Sequence, residues 1–391
     1  MTPPGSGTDD READRTASGT PLSVGVLGYG FMGRAHANAL ARLPMFFPDA
    51  PSVERSVLVG RDETALAAAA DRLGFESTAT DWREVVNAVD VFYNLGPNHC
   101  HAEPSIAALA AGTHVLCEKP LATTLAEAAA MRDAARESDS VAGCGFNYRF
   151  VPAIRYARAL IADGKLGEIR HVRGRYLQDW LSDPEAPWSW RLDESLAGSG
   201  ALGDLGAHTV DLARFLVGPA AGAIERVSGH LETFVAERPA SDPEGPAERP
   251  VTVDDAFTAQ AAFEGGAMAT FEASRYAHGH VNDHTIEIHG SAGSLAFSLE
   301  RLNEVRYRGP DHRGYETILV TGDDDPYGGA WWPPGHVLGW EHTVVHENYE
   351  FLSAVAGGEE FSPSFENAYA VQRILDAIER SDETGEWVSV A

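Results

Sequence analysis

Residues 23–36 read Ser-Val-Gly-Val-Leu-Gly-Tyr-Gly-Phe-Met-Gly-Arg-Ala-His and join a short apolar run to a helical pattern. Within them, Gly28, Gly30 and Gly33 have the GxGxxG spacing. In this motif the first glycine allows a tight turn, the second lets a pyrophosphate approach the backbone, and the third lets the following helix pack close to the sheet. The pattern therefore predicts a dinucleotide-binding strand–turn–helix.

The composition limits the classes of protein to consider. At 391 residues the chain exceeds the usual span of one hydrophobic core, so two domains are expected. A formal net charge of −28 opposes binding to nucleic acid or to an anionic membrane, and no apolar run has the length of a membrane span. Residues 1–21 are polar and predict a disordered leader, and Cys100, Cys117 and Cys144 have no disulfide-like or zinc-like spacing. We expect a cytoplasmic protein with neither a nucleic-acid nor a membrane partner.

Strands and helices alternate in the first part of the chain. The patterns predict strands at residues 57–59, 89–95, 114–117 and 141–145, and helices at 34–43, 64–73 and 102–111, the first of which Pro44 ends. This alternation predicts an α/β protein whose residues 22–148 form a doubly wound Rossmann domain. Ligands bind such sheets at the carboxyl ends of the strands, where Asn98 and the segment Glu118-Lys119-Pro120 lie.

In the second part of the chain, residues 149–391, the hydrophobic pattern changes to one typical of β-strands. Strands are predicted at residues 169–177, 252–263, 267–274, 285–289 and 294–299, which favours an open, mainly antiparallel sheet in a second α+β domain. Helices at residues 341–355 and 364–380 are expected to return to the first domain, with Ser364 as a helix cap. Residues 236–250 read as a mobile surface loop, and the aromatic segment 323–339 as either a cover over a site or part of an interface.

The end of the second strand leaves the choice of cofactor open. An acidic residue commonly lies there in NAD-binding chains and accepts the ribose hydroxyls, whereas here Gly60 is followed by Arg61 and Asp62. Arg61 suits a 2′-phosphate and favours NADP, while Asp62 suits a ribose if the turn is shifted. An exposed Arg-Asp pair without a ligand is the alternative.

Five motifs, taken together, resemble the glucose-fructose oxidoreductase and inositol dehydrogenase family of NAD(P)-dependent sugar enzymes. They are Gly28-Tyr29-Gly30-Phe31-Met32-Gly33, Pro97-Asn98, Glu118-Lys119-Pro120, Asn147-Tyr148-Arg149-Phe150 and Gly203-Asp204-Leu205-Gly206-Ala207-His208. The resemblance runs from about Leu22 to the C-terminus. Within the family, residues 176–180, 189–191 and 198–204 most resemble members similar to levoglucosan dehydrogenase.

The residues also support a mechanism of alcohol oxidation. That reaction needs a base for the hydroxyl proton and stabilisation of the developing alkoxide. Lys119 suits the second task, and we expect Pro120 to fix its turn, with a cis bond before it. Asp204 and His208 lie four residues apart, on one face of a helix predicted at 207–216, so His208 suits the role of base.

Asp204 and His208 have two other interpretations. Asp204 would serve as a helix cap, which is compatible with catalysis, or the pair would bind zinc, for which the chain has no completing ligand set. We therefore expect no metal. The resemblance implies that His208 is the acid/base group, Asp204 its partner and Lys119 the electrostatic aid.

The candidate site residues form three sets. The catalytic set is Lys119, Asp204 and His208; the cofactor set is Gly28, Gly30, Phe31, Met32, Gly33, Arg61, Asn98, Glu118, Lys119 and Arg149; and the substrate set is Lys119, Tyr148, Gln178, Asp179, Trp190, Asp204 and His208. Trp180 and Arg191 belong to the same polar and aromatic group as Gln178, which suits a polyol. For Arg149, an interdomain salt bridge is the equal alternative.

The predicted function is transfer of hydride between NAD(P) and a secondary alcohol carbon of a cyclic sugar, an anhydrosugar or an inositol. An aldose 1-dehydrogenase that forms a lactone is the alternative enzyme. A non-catalytic regulator that senses nucleotides is the alternative outside enzymes, although it needs no set such as Lys119, Asp204 and His208. The resemblance further implies a homodimer or homotetramer that assembles through the C-terminal sheet.

Overall fold

The computed structural model describes residues 20–240 and 246–390. Nearly all of the expected leader, residues 1–21, lies outside the described residues. The described chain contains a six-stranded sheet, a nine-stranded sheet and a small two-stranded sheet. Among its helices, none is long and apolar enough to cross a membrane.

The six-stranded sheet is parallel and has the order β3-β2-β1-β4-β5-β6. Its strands are β1 (Leu22–Leu27), β2 (Val53–Val59), β3 (Ser77–Ala79), β4 (Val91–Asn94), β5 (His114–Cys117) and β6 (Ala142–Cys144). Four helices alternate with them: α1 (Phe31–Phe46), α2 (Glu63–Leu73), α3 (Ala102–Ala110) and α4 (Leu125–Glu137). The sequence prediction of a doubly wound α/β domain is confirmed, because the central strands are buried on both faces.

The glycine turn between β1 and α1 has the geometry that the three predicted roles require. Gly28 has a φ of 101°, which favours glycine. A Cβ atom at Gly33 would lie 2.3 Å from the carbonyl oxygen of Gly28, so the helix packs against the turn only without a side chain there. A Cβ atom at Gly30 would meet nothing within 4 Å, which leaves open space beside the turn for a ligand.

Helix α1 continues past Pro44, so the prediction that Pro44 ends it was wrong. Pro44 lies in the last turn, where its missing N–H removes one hydrogen bond. The backbone N–H of Phe47 still donates to Leu43 at 2.8 Å. Phe46 and Phe47 then pack on Trp331, which stabilises the end of the helix.

The nine-stranded sheet has the order β16-β15-β14-β13-β7-β12-β11-β8-β17. Its strands are β7 (Ile169–Leu177), β8 (Ile224–Glu232), β11 (Ala256–Phe263), β12 (Met268–Ser274), β13 (Asp283–Gly290), β14 (Ser294–Ser298), β15 (Glu304–Arg308), β16 (Glu316–Leu319) and β17 (Val388–Ser389). Only β12 and β7 pair in parallel within it, so the mainly antiparallel prediction is confirmed.

Five helices complete the described chain: α5 (Pro152–Ala162), α6 (Glu194–Ala197), α7 (Ala207–Ala221), α8 (Glu341–Gly357) and α9 (Phe365–Thr384). Helices α5, α7 and α9 pack on one face of the nine-stranded sheet. Helix α8 packs on α1, and α9 on α4, so both C-terminal helices return to the first domain as predicted. Ser364 caps α9 in a capping box with Asn367, as the sequence indicated.

One loop prediction needs correction. The segment 236–250 is not a loop throughout, because β9 (Glu237–Pro239) and β10 (Glu248–Pro250) pair in antiparallel fashion; residues 241–245 lie outside the described residues. Arg238 anchors this strand pair, since its buried guanidinium donates to the carbonyls of Leu181 and Asp183. The aromatic segment 323–339 packs within the chain, where the Trp331 indole donates to His346 on α8 at 2.7 Å.

Two glycine substitutions separate packing from ligand access. We expect Gly33→Ala to lower the free energy of unfolding by about 1–3 kcal/mol, because its Cβ would overlap the backbone of Gly28. Gly30→Ala is expected to keep the wild-type stability and to weaken dinucleotide binding, because its Cβ projects into open space. Urea denaturation and calorimetric titration with NAD⁺ measure the two effects. Equal stability losses in the two variants would contradict this account of the turn.

Candidate functional site

A cavity of about 1120 Å³ lies at the carboxyl ends of β1, β2, β4 and β5 and extends to the start of α7. It collects most of the residues predicted from the sequence: Gly28, Gly30, Phe31, Met32, Arg61, Asn98, Glu118, Lys119, Tyr148, Gln178, Trp190, Asp204 and His208. The ends of parallel strands are where ligands bind in such sheets. One cavity therefore brings together the predicted cofactor and catalytic residues.

Three predicted residues lie outside the cavity lining. Gly33 packs beneath the turn, as its proposed role requires. Arg149, which was predicted to contact the cofactor, is buried, and its Nε donates to Asp211 at 2.7 Å. It forms a salt bridge, as the alternative proposed, but within residues 149–391 and not between the two predicted domains. Asp179 was predicted to contact substrate, but one of its carboxylate oxygens accepts from the N–H of Gly279 at 3.1 Å. Arg149 and Asp179 are therefore engaged by protein groups.

Gly60 lies directly beside the ring of Tyr29. A Cβ atom at residue 60 would lie 2.2 Å from that ring, so a side chain at the end of β2 would require the Tyr29 ring to shift. Asp62 lines the cavity and also caps α2, because it accepts from the N–H of Ala65. Arg61 lines the same wall, and its guanidinium has no acidic partner among the described residues.

Lys119 connects the parallel sheet to the start of α7. It follows β5, and the peptide bond between Lys119 and Pro120 is cis, as the sequence predicted. Its Nζ lies 3.0 Å from Oδ1 of Asp204 and donates to the Asp204 carbonyl at 2.6 Å. The Lys119 ammonium and the Asp204 carboxylate thus form one charged pair facing the cavity.

Asp204 lies in a π-helical turn, Leu202–Gly206, that runs directly into α7. Its side chain does not cap the helix, so that alternative was wrong; it faces Lys119 instead. Burial acts to raise the pKa of Asp204, but Lys119, Arg275 and Arg191 more than offset it and the pKa lies below the ordinary aspartate value. Asp204 is therefore ionised at neutral pH. Single π-helical turns are frequent at functional sites.

His208 is buried against aromatic rings, with 6% of its surface exposed. Its ring centroid lies 4.6 Å from that of Tyr148 and 6.4 Å from that of His284. Burial, and after it the charge of Lys119 and the presence of His284, lower the pKa of His208 well below the ordinary histidine value. The imidazole is therefore neutral at pH 7 and has the protonation state of a proton acceptor.

A chain of hydrogen bonds lines the wall beside His208. The hydroxyls of Tyr148 and Tyr176 lie 2.8 Å apart, and Tyr176 donates to Oδ1 of Asn282 at 2.7 Å. Gln178 donates to the same oxygen at 2.8 Å. Burial raises the pKa of both tyrosines, so their hydroxyls remain protonated and donate along this chain. This wall suits the hydroxyl groups of a polyol.

Glu118 lies in the cavity wall beside a buried histidine. Asn348 donates to Nδ1 of His36 at 3.0 Å, which places the ring proton on Nε2. That nitrogen lies 3.5 Å from Oε1 of Glu118 without forming a hydrogen bond, and the other carboxylate oxygen accepts from the N–H of Lys119. The turn that carries Lys119 is therefore stabilised by its own glutamate, which lies beside α1.

The described part of the chain contains no candidate metal site. Within residues 20–240 and 246–390, no group of three or more His, Cys, Asp or Glu side chains could hold a metal ion. Asp204, the partner considered for zinc, is instead paired with Lys119.

Comparisons with known proteins place this geometry in a family. Residues 22–146 match the oxidoreductase family with an NAD-binding Rossmann fold, and residues 154–296 match the GFO/IDH/MocA C-terminal domain. Levoglucosan dehydrogenase of Pseudarthrobacter phenanthrenivorans is 42% identical over 388 residues, which cover 94% of this chain and 98% of that protein. The chain belongs to the GFO/IDH/MocA oxidoreductase family.

Two solved structures of the family share the fold closely. An oxidoreductase domain protein from Kribbella flavida is 48% identical, with a TM-score of 0.91, and the alignment covers 95% of this chain and 100% of that protein's chain. A complex of levoglucosan dehydrogenase with NADH and levoglucosan is 42% identical, with a TM-score of 0.90 and the same two coverages. These similarities confirm an NAD-dependent sugar or polyol dehydrogenase with a Rossmann domain and a C-terminal, mainly antiparallel sheet.

The described residues fit the dinucleotide of this family. Helix α1 begins at Phe31 without a side-chain cap, and its first residues line the cavity, where its free backbone N–H groups would stabilise a pyrophosphate. Gly30 leaves the approach to that terminus free of a side chain. A nicotinamide dinucleotide supplies a hydride acceptor when it is bound.

Several lining residues were missing from the sequence prediction. Trp340 stacks on Phe31 with ring centroids 5.1 Å apart, and its indole lies 3.4 Å from the Tyr148 hydroxyl. Tyr176 and Arg275 also line the cavity, and His284 stacks on Tyr176 at 4.5 Å. Tyr176 lies in a stretch that the sequence analysis singled out. For Trp340 and Arg275 no local pattern was available, because strand and helix packing alone bring them to the cavity.

Proposed function

We propose that this chain oxidises a ring hydroxyl of an anhydrosugar of the levoglucosan class, with NAD⁺ as hydride acceptor. The observation that carries the proposal is the convergence of Lys119, Asp204 and His208 on the cavity that the glycine turn opens. Similarity to levoglucosan dehydrogenase over nearly the whole chain supports the substrate class.

In the proposed reaction, the neutral imidazole of His208 accepts the proton of the substrate hydroxyl. The buried ring has the required protonation state, since its pKa is lowered by burial and then by Lys119. The Lys119 ammonium stabilises the negative charge that develops on the same oxygen. Asp204 holds Lys119 through the 3.0 Å contact and so fixes the direction of its N–H groups.

The surrounding wall orients the sugar in this proposal. Gln178 and the hydroxyl oxygens of the tyrosine pair present polar groups to ring hydroxyls, while the faces of Trp190 and Trp340 suit C–H groups of the ring. Tyr148 contacts the His208 ring and donates along the chain to Tyr176, so it holds the base in place from one side. Rigid aromatic walls also exclude water from the reacting atoms.

Substitution of the two reacting groups tests their roles. We expect Lys119→Met and His208→Gln each to lower kcat by about 10²–10⁴-fold, because one loses alkoxide stabilisation and the other the proton acceptor. Affinity for NADH, measured by fluorescence titration, is expected to stay within about threefold of wild type, since neither change touches the glycine turn.

The chain provides matched controls for these variants. Lys165 is the only other lysine and is exposed, and His312 lies outside the cavity lining. Lys165→Met and His312→Gln are expected to retain wild-type turnover. Loss of dinucleotide binding in Lys119→Met or His208→Gln, with normal turnover per bound enzyme, would show that the assigned roles are wrong.

A substrate panel tests the proposed function itself. NADH or NADPH absorbance is followed while purified protein meets levoglucosan, myo-inositol and D-glucose, each with NAD⁺ and with NADP⁺. Levoglucosan has a bridged anomeric carbon and cannot give a lactone, so turnover on it with NAD⁺ requires oxidation of another ring hydroxyl. We expect that turnover to exceed turnover on D-glucose.

Other outcomes of the panel have definite meanings. Lactone formation from D-glucose without oxidation of levoglucosan would establish the aldose 1-dehydrogenase instead. Equal rates with NADP⁺ would show that the free guanidinium of Arg61 accepts a 2′-phosphate. No turnover with any sugar, despite cofactor binding, would support a regulator.

Assembly and location complete the proposal. The face of the nine-stranded sheet opposite its helices presents Arg175, Glu272 and the exposed Met268, and we propose that this face forms a homodimer or homotetramer. Light scattering is expected to give twice or four times the mass of one chain, and the mass of one chain would contradict it.

The three cysteines are free, which supports a reducing, cytoplasmic compartment that cell fractionation would test.

A further inference from the structure

Arg275 is a buried cation that the proposed mechanism leaves unused. It follows β12, is 1% exposed and still contributes to the lining of the cavity. Its backbone N–H donates to the carbonyl of Asp255 at 2.9 Å, which fixes the position of the residue. Burial of an arginine is costly unless its donors are satisfied, so its contacts need an explanation.

The guanidinium joins two segments that carry site residues. Nη1 donates to the carbonyl of Arg191, next to Trp190, at 3.3 Å. Nη2 donates to the carbonyl of Asp254 at 2.8 Å. Nε has no hydrogen-bond partner, and no carboxylate of the described chain forms an ion pair with the guanidinium. The positive charge is therefore not neutralised by direct contact.

Asp254 in turn fixes the start of the helical segment that carries Asp204 and His208. Its Oδ1 accepts from the N–H of Gly200 at 2.6 Å, and its Oδ2 accepts from the N–H of Leu202 at 2.9 Å. These are N–H groups that a helix start leaves without partners. A Cβ atom at Gly200 would lie 1.8 Å from the Asp254 carbonyl oxygen, so this close approach requires glycine.

We propose that Arg275 is a positioning residue for the reaction: it fixes the start of the catalytic helix through Asp254 and keeps Asp204 as the carboxylate that holds Lys119. This inference rests on the proposed function, because it acts through Lys119 and Asp204. The residue differs from the assigned catalytic groups in that it needs no contact with substrate.

The charges around Asp204 support this role. Lys119, at the end of β5, contacts Asp204 directly, while Arg275 at the end of β12 and Arg191 in the short 3-10 helix before α6 act on it through their charge. All three oppose the effect of burial on the pKa of Asp204. Among the other titratable groups, Tyr176 on β7 faces Asp204, and His208 lies one helical turn further on. Asp204, Asp254 and Asp255 act in return on Arg275, whose pKa burial lowers.

The test compares Arg275→Gln with the control Arg238→Gln across a pH series. Arg238 matches Arg275 closely: it is fully buried, donates to two backbone carbonyls and has an unpartnered Nε, but it does not line the cavity. The readouts are affinity for NADH, urea denaturation, and kcat/KM from about pH 3 to 8, since the pKa of Asp204 lies below the ordinary aspartate value.

We expect Arg275→Gln to lower kcat/KM at neutral pH by about 10–100-fold and to move the acid limb of its pH profile up by about one pH unit. The direction follows because loss of the cation raises the pKa of Asp204, so the carboxylate that holds Lys119 is lost at a higher pH. Arg275→Lys, which keeps the charge, is expected to restore the position of the limb. Arg238→Gln is expected to lose stability without moving it.

Each contrary result has a separate meaning. Arg275→Gln and Arg238→Gln with equal stability losses and unmoved acid limbs would show that Arg275 is only structural. If Arg275→Gln does not fold, Arg275→Lys is compared with Arg238→Lys instead. A fall in kcat in Arg275→Lys alone supports the positioning role, because lysine keeps the charge but not both backbone contacts. Equal kcat values in the two lysine variants would overturn it. Absence of wild-type turnover would contradict the proposed function and this role together, whereas normal wild-type turnover isolates the test of Arg275.

Discussion

The contact between Lys119 and Asp204 is the interaction on which the site depends. It joins the carboxyl end of β5 in the parallel sheet to the helical segment above the antiparallel sheet, with Nζ and Oδ1 3.0 Å apart. Both groups are partly exposed to the cavity, so solvent weakens the pair and its contribution to stability is small. Its value is geometric, because it fixes an ammonium group beside a neutral imidazole.

The protonation states of the site follow from burial and from charges placed around that contact. His208 is surrounded by aromatic rings and lies near a cation, and both effects favour the neutral imidazole. Asp204 is only partly exposed, which acts to raise its pKa, yet the charges of three cations keep it ionised. The same surroundings therefore prepare one group to accept a proton and the other to remain charged, in a chain whose net charge is −28.

Much of the fold could be predicted because local patterns determine it. The glycine spacing and the alternation of strands and helices fixed the parallel sheet, and the lysine before Pro120 marked the end of β5. Arg149 and Asp179 lie outside the cavity lining, which the sequence could not show: a polar residue beside a predicted site has the same sequence signal whether it faces a ligand or a buried partner such as Asp211. Likewise, Pro44 signals a helix end, but packing of Phe46 on Trp331 extends α1.

The residues that the sequence did not reveal depend on long-range packing. Trp340 reaches Phe31 across more than three hundred residues of chain because α8 returns to α1. Arg275 and Arg238 have similar sequence contexts at strand segments, yet only Arg275 lies beside Asp204, since the pairing of β12 with β7 brings it there. No local sequence pattern indicates such neighbours.

A crystal structure of the protein with NADH and levoglucosan tests the central claim most directly. The account predicts one ring hydroxyl of the sugar within about 3 Å of both the Lys119 Nζ and a ring nitrogen of His208. A sugar bound in the cavity with its hydroxyls on neither group, in crystals that still oxidise it, would contradict the assignment of these residues to the reaction.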